Sequence, residues 1–213
     1  MAEASRFAKS LRNPFQWLGA VLIIFVIVVI PIIGAKHERL SPHQSPGLQE
    51  VQAIGLAMYS YAQDHNGAYP VGKSSTEVFQ KLIDGGYVTD PTIFFLELLK
   101  IPGKSKATSN SLKPENVCWD VTIPVDATSS DYLPLVFSTG YRVKYLPGGE
   151  AIPLFSDTDG RLAAIVVFYS GMNATWVMNE NLSFGDLPNF INSNFDPKGK
   201  TYIQLTPDGP LSP

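Results

Sequence analysis

Between Arg12 and Lys36 the chain carries no charge, and fourteen of the twenty residues from Phe15 to Gly34 (FQWLGAVLIIFVIVVIPIIG) are Val, Ile, Leu or Phe. A helix over such a run is roughly 30 Å long at about 1.5 Å per residue, the thickness of a bilayer's hydrocarbon core. At about −0.3 to −0.6 kcal/mol per side chain, insertion is favoured by roughly 4–8 kcal/mol. Gln16 and Pro31 sit near the ends, where a polar group or a kink is tolerated. Two other readings fit less well. A cleavable signal peptide has a shorter apolar core, and a cut after Ala35 would leave bulky Ile33 at the −3 position. A buried helix of a water-soluble domain keeps one polar face, and this run has none. The run reads as a membrane span.

Arg6, Lys9 and Arg12 precede the span against a single Glu3, whereas Lys36 and Arg39 follow it with Glu38 between. The basic excess on the N-terminal side predicts a cytoplasmic N-terminus and an outward-facing bulk. The expected organisation is a cytoplasmic tail (1–14), a transmembrane helix (15–35), a linker broken by Pro42 and Pro46 (36–46), an extracytoplasmic domain (47–206) and a flexible tail (207–213). That domain is long enough for one core and too short for two.

Gly47 to Asn66 carries Val51, Ile54, Met58 and Tyr61 at helical spacing, and Ala53, Leu56, Ala57 and Tyr59 widen the stripe, so packing on more than one side is expected. Asn66-Gly67 and Tyr69-Pro70 end this helix. Ser74 with Glu77 three residues on forms a capping box for a second helix, which Gly85-Gly86 stops. Asp90-Pro91 reads as the start of a third, Thr92 to Lys100. From Val117 the period changes to two. The segments 118–125, 133–146, 151–155, 161–170 and 174–178 read as strands parted by turn signals, an antiparallel meander. Residues 184–195 read as a surface helix or loop, and 201–213 as a strand with a frayed end.

The apolar N-terminal segment followed by IGLAMYSYAQDHNGAYP resembles type IV pilin-like proteins, above all the major pseudopilins of type II secretion. The matching positions are Tyr61, Asp64, Asn66, Gly67, Tyr69 and Pro70. GYVTDPTIFF, LPLVFSTGY, the Gly148-Gly149 turn and VVFYS are similar to bacterial relatives of that system. The resemblance implies an α+β fold: an N-terminal transmembrane helix, then a pilin-like domain of N-terminal helices packed on an antiparallel β-sheet. It also implies a non-enzymatic structural or interaction role in a bacterial secretion or filament complex, with the domain in the periplasm. The chain departs from the family at its start. The leader-like glycine is Gly19, the fifth residue after it is Ile24, and the span holds no Glu. An intramembrane carboxylate costs about 2.5–3.5 kcal/mol and is kept in pilins for subunit pairing, so its absence implies a permanent anchor rather than a filament subunit. The pseudopilin calcium loop has no clear counterpart.

The chemistry-bearing residues are sparse. Histidines stand at 37, 43 and 65 only, and Cys118 is the sole cysteine, so neither an intrachain disulfide nor a thiolate cluster can form. There is no G-x-S-x-G, no H-E-x-x-H and no phosphate-binding glycine loop. Ser156-Asp157-Thr158-Asp159-Gly160 lacks the glutamate that would complete a calcium loop and reads as a polar turn. Asn173-Ala174-Thr175 and Asn181-Leu182-Ser183 are acceptor sequons by pattern. No catalytic, cofactor-binding or metal residue is expected, and no cofactor. A net charge of −3 disfavours nucleic acid. The expected partners are the lipid bilayer and other membrane or envelope proteins, with homo-oligomers compatible. Two alternatives stand beside this: an accessory subunit capping the outer face of a larger membrane complex, and a secreted binding domain released by signal peptidase. Twelve Phe, nine Tyr and three Trp exceed what one small sheet core needs, so an exposed aromatic face would mark a contact surface.

Overall fold

The computed structural model describes residues 47–97, 101–126, 128–154, 164–178 and 185–211, all within one compact unit. The tail, the span Phe15–Gly34 and the linker lie outside the described residues, as do the Ser156–Gly160 turn and Asn181.

Helix α1 spans Leu48–Asp64 and α2 spans Ser75–Asp84. Gly47 opens α1 at φ +91°, with its N–H donated to Glu50 Oε2 at 2.5 Å. A side chain there would press on Leu96 and Val166 at 3.1 and 3.2 Å, so both backbone and space call for glycine. Val51, Ile54 and Met58 are buried as their spacing predicts, but Ala53, Leu56 and Tyr59 face outward, so α1 buries one side only. Asn66 and Gly67, both with positive φ, end the rod. At α2 the Ser74 hydroxyl accepts from Glu77 N–H. Asp90 accepts from Thr92 N–H at 2.9 Å, but Pro91–Phe94 makes a single 3-10 turn in place of a third helix. The chain is drawn off there because the Phe94 carbonyl takes the Cys118 N–H at 2.8 Å.

Among the described residues eight strands follow: β1 (Trp119–Ile123), β2 (Pro134–Ser138), β3 (Tyr141–Val143), β4 (Ala151–Pro153), β5 (Ala164–Tyr169), β6 (Ala174–Met178), β7 (Ile203–Thr206) and β8 (Gly209–Pro210). Six form one antiparallel sheet in the order β6-β5-β2-β1-β7-β8, and β3 and β4 form a separate pair. The expected meander is therefore wrong. At Gly140, φ +108°, the chain leaves the main sheet for β3–β4, and β2 pairs with β5 instead.

The sheet is covered on both faces. On one, α1 lies against β2, β5 and β6, and α2 against β1 and β7. The Ser75 hydroxyl donates to the Trp119 carbonyl at 2.7 Å and Thr76 to that of Pro207 at 2.8 Å. On the other lie β3–β4 and residues 185–202. Phe137 meets Phe190 at 6.0 Å, the Thr122 and Tyr145 hydroxyls lie 2.8 Å apart, and one side chain, Gln204, bonds to the backbone of β3. Burial from both sides explains why β2 and β5 are almost continuously buried rather than alternating.

The expected fold class, an N-terminal transmembrane helix followed by a pilin-like domain of N-terminal helices packed on a sheet, is corrected by these observations. Among the described residues there are two short α-helices, none long and apolar enough to cross a membrane, and the unit is mostly sheet. Helical spacing in 47–66 suggested a long organising rod. That helix is present as Leu48–Asp64 and ends at Asn66-Gly67 as its sequence predicts, but the larger apolar surface belongs to the strands.

The β1–β2 loop is tied to 196–200 at the surface. Lys200 Nζ reaches Asp126 Oδ1 at 2.6 Å and Thr128 Oγ1 at 2.8 Å. The Lys200 ammonium and the Thr128 hydroxyl and N–H hold the Asp126 carboxyl down, to about 2. A lowered acid stabilises the fold above its ordinary pKa of 3.8, and this contribution disappears as pH falls from there toward 2. With Asp126 half exposed, solvent screening leaves about 0.5–1 kcal/mol. Asp126→Asn is expected to cost no more than that at pH 7, and progressively less as pH falls from about 4 through 2, in urea unfolding.

Candidate interaction surface

Half of the aromatic residues among those described are buried in the core. Trp119 is fully buried with its indole N–H donated to the Ile93 carbonyl, and Phe79 stacks on Phe94 at 4.7 Å. A second group lies at the end of α1, at the surface. Tyr61 and His65, one helical turn apart, stack at 3.8 Å with planes 2° from parallel, and His65 Nδ1 sits 2.7 Å from the Tyr61 carbonyl oxygen. The Gly85-Gly86 turn after α2 brings Tyr87 to 5.4 Å from Tyr61 and 6.5 Å from His65. The Tyr87 hydroxyl donates to Asp64 Oδ2 at 2.9 Å, which raises its pKa by favouring the protonated phenol. The reversal at Asn66-Gly67 returns Tyr69 along α1. Half-burial, and secondarily the neighbouring Tyr59, raise its pKa. Tyr59 is 36% exposed and Val71 54%. These rings offer flat apolar faces with polar tips, the composition of interface anchors.

No residue was assigned a catalytic, cofactor or metal role from sequence. Of the histidines, His37 and His43 lie outside the described residues, and His65 belongs to the aromatic stack. Among the described residues no three His, Cys, Asp or Glu side chains converge on a metal-sized site. Cys118 is buried, and burial raises its thiol pKa, so it packs as a small apolar group. Asn173 is exposed in the β5–β6 turn.

Two open clefts are lined by described residues. One, about 450 Å³, contains Glu50, Asp90, Glu97 and Lys106, whose carboxylates are already engaged with Gly47 N–H, Thr92 N–H and Lys106 respectively. The other, about 480 Å³, is lined by Lys104, Thr139 and Asp208 among others. Behind it lies Asp120, with no exposed surface and a pKa pushed up to about 7, chiefly by burial. Sequence reading passed over Asp120 and Gln204. Their signal was a charged residue inside the strand CWDVTIPV and an amide inside YIQLT, each with apolar neighbours. Comparison with protein-family models, curated proteins and solved structures returns no match.

Proposed function

We propose that the chain is a non-enzymatic, membrane-tethered interaction protein of a bacterial envelope complex, docking through the aromatic surface at the end of α1. The observation that carries this reading is the clustering of Tyr61, His65 and Tyr87 at the surface, with Tyr59 and Tyr69 beside them; Tyr61, Tyr69 and Tyr87 rest against the core and leave part of each ring to solvent. The uncharged run Phe15–Gly34 supplies the tether, and the basic residues before it favour an outward-facing domain. Confinement at the membrane raises the domain's effective concentration for partners held there, so individually weak contacts suffice. The resemblance of Tyr61 to Pro70 to the pseudopilin stretch supports a secretion or filament assembly as the setting.

Fractionation tests this. The full-length chain is expected in the membrane pellet, resistant to alkaline wash and released by detergent. Protease added outside the inner membrane is expected to degrade the domain. A soluble product, or a domain shielded while a cytoplasm-facing control is also shielded, contradicts the reading.

A further inference from the structure

Asp120 is joined to the rest of the fold by the Gln204 amide. Nε2 donates to Asp120 Oδ2 at 2.6 Å and to the Tyr141 carbonyl at 2.6 Å, and Oε1 accepts from Val143 N–H at 3.0 Å. The two β3 contacts fix the amide's orientation, because Val143 needs an acceptor and Tyr141 a donor. The remaining Nε2 proton therefore always points at Asp120. Asp120 Oδ1 has no hydrogen-bond partner, although the Thr139 hydroxyl faces the carboxyl. A neutral acid tolerates that environment, whereas a carboxylate with one bare oxygen does not.

The charged and titratable groups facing the site are few. Lys104 approaches from the loop 101–113, Asp208 from the β7–β8 turn, and Tyr145 from the segment after β3. Strands β2 and β7 present Phe137 and Gln204, and Thr139 stands just after β2; none of the three titrates. The Lys104 ammonium is already engaged with the Pro114 carbonyl at 2.9 Å. Lys104, Thr139 and Asp208 also line the 480 Å³ cleft.

We propose that Asp120 is a pH-sensitive joint between the two sheets: as the neutral acid it leaves β3 and β4 docked through Gln204, and on losing its proton it loosens that seam toward the cleft. Complete burial sets the sign, outweighing the Gln204 and Thr139 bonds, which favour the carboxylate. The pKa is raised from 3.8 to about 7 in the closed fold, so the closed form binds the proton more tightly than an open, hydrated one. Opening becomes easier as pH rises from about 4 to about 7 and levels off above, at most tenfold per pH unit across that window.

Hydrogen exchange of the full-length protein in detergent, read by mass spectrometry between pH 5 and 8 and corrected for intrinsic rates, tests this. Protection in 141–153 is expected to fall by tens of fold from pH 5 to pH 7 in the wild type and to stay level in Asp120→Asn. A pH-independent wild type, or an equal slope in the Asn variant, overturns the proposal. If the variant does not fold, infrared spectra of the wild type with carboxyl-labelled aspartate decide. A protonated-acid carbonyl band that persists at pH 6 and is lost by pH 8 supports the joint, and its absence at pH 6 overturns it.

Discussion

Alanine at Gly55 is expected to lower the unfolding free energy by about 2 kcal/mol, an effect far larger than its one added methyl suggests. Gly55 is where α1 comes closest to the sheet: a Cβ there would lie 2.3–2.5 Å from three atoms of the Phe168 ring. Phe168 is 1% exposed and cannot swing out. Overpacking costs about 1–3 kcal/mol, and the short distances put Gly55 at the upper end, offset by about 1 kcal/mol of helix propensity gained. For a chain of this length that corresponds to a melting temperature lower by roughly 4–8 °C. Combining the change with Phe168→Leu is expected to recover at least about 1 kcal/mol relative to the sum of the single variants. Additive costs would mean that α1 does not rest on Phe168.

Gln204→Leu carries the other large expectation, a loss of about 3–4 kcal/mol. Leucine has a similar shape and removes only the amide. Val143 N–H and the Tyr141 carbonyl then lose the partners that dock β3 on the main sheet, and Asp120 loses its nearest donor. A buried backbone group deprived of its partner costs about 1–3 kcal/mol, and two are affected here. The denaturation midpoint is expected to fall with little change in slope, since the surface exposed on unfolding stays nearly the same. A cost below about 1 kcal/mol would show that β3–β4 is held by apolar contacts alone.

Local signals in the sequence were read well where the physics is local. The Ser74 cap, the Asn66-Gly67 stop, the Asp90-Pro91 start and the places of most strands all rest on a few neighbouring residues, and the structure has them. What depended on distant pairing was not readable. The run Thr92 to Lys100 looked helical because Asp90-Pro91 begins a turn, but nothing local says that the Phe94 carbonyl will bind Cys118. Hairpin signals at Thr139-Gly140 suggested a meander, whereas Gly140 turns β3 out of the sheet. The pattern of residues 184–195 reads as a surface helix or loop, yet Leu187, Phe190, Ile191 and Phe195 are buried against the second face. That second covering layer is what changed the fold class. As for the surface, the aromatic excess was legible in composition, but the gathering of Tyr61, His65 and Tyr87 was not, since Tyr87 arrives from beyond α2.

Docking of a tethered domain through the end of α1 is open to site-specific photo-crosslinking in native membranes. A photoreactive residue at Tyr59, beside the aromatic surface, is expected to give one discrete adduct in the membrane fraction, lost when Tyr61 and Tyr87 are both replaced by alanine in a chain that still folds. The same residue at Ile203, 44% exposed on β7, is expected to give none. Equal labelling from both positions, or a Tyr59 adduct indifferent to Tyr61 and Tyr87, would show that the domain does not dock through this surface.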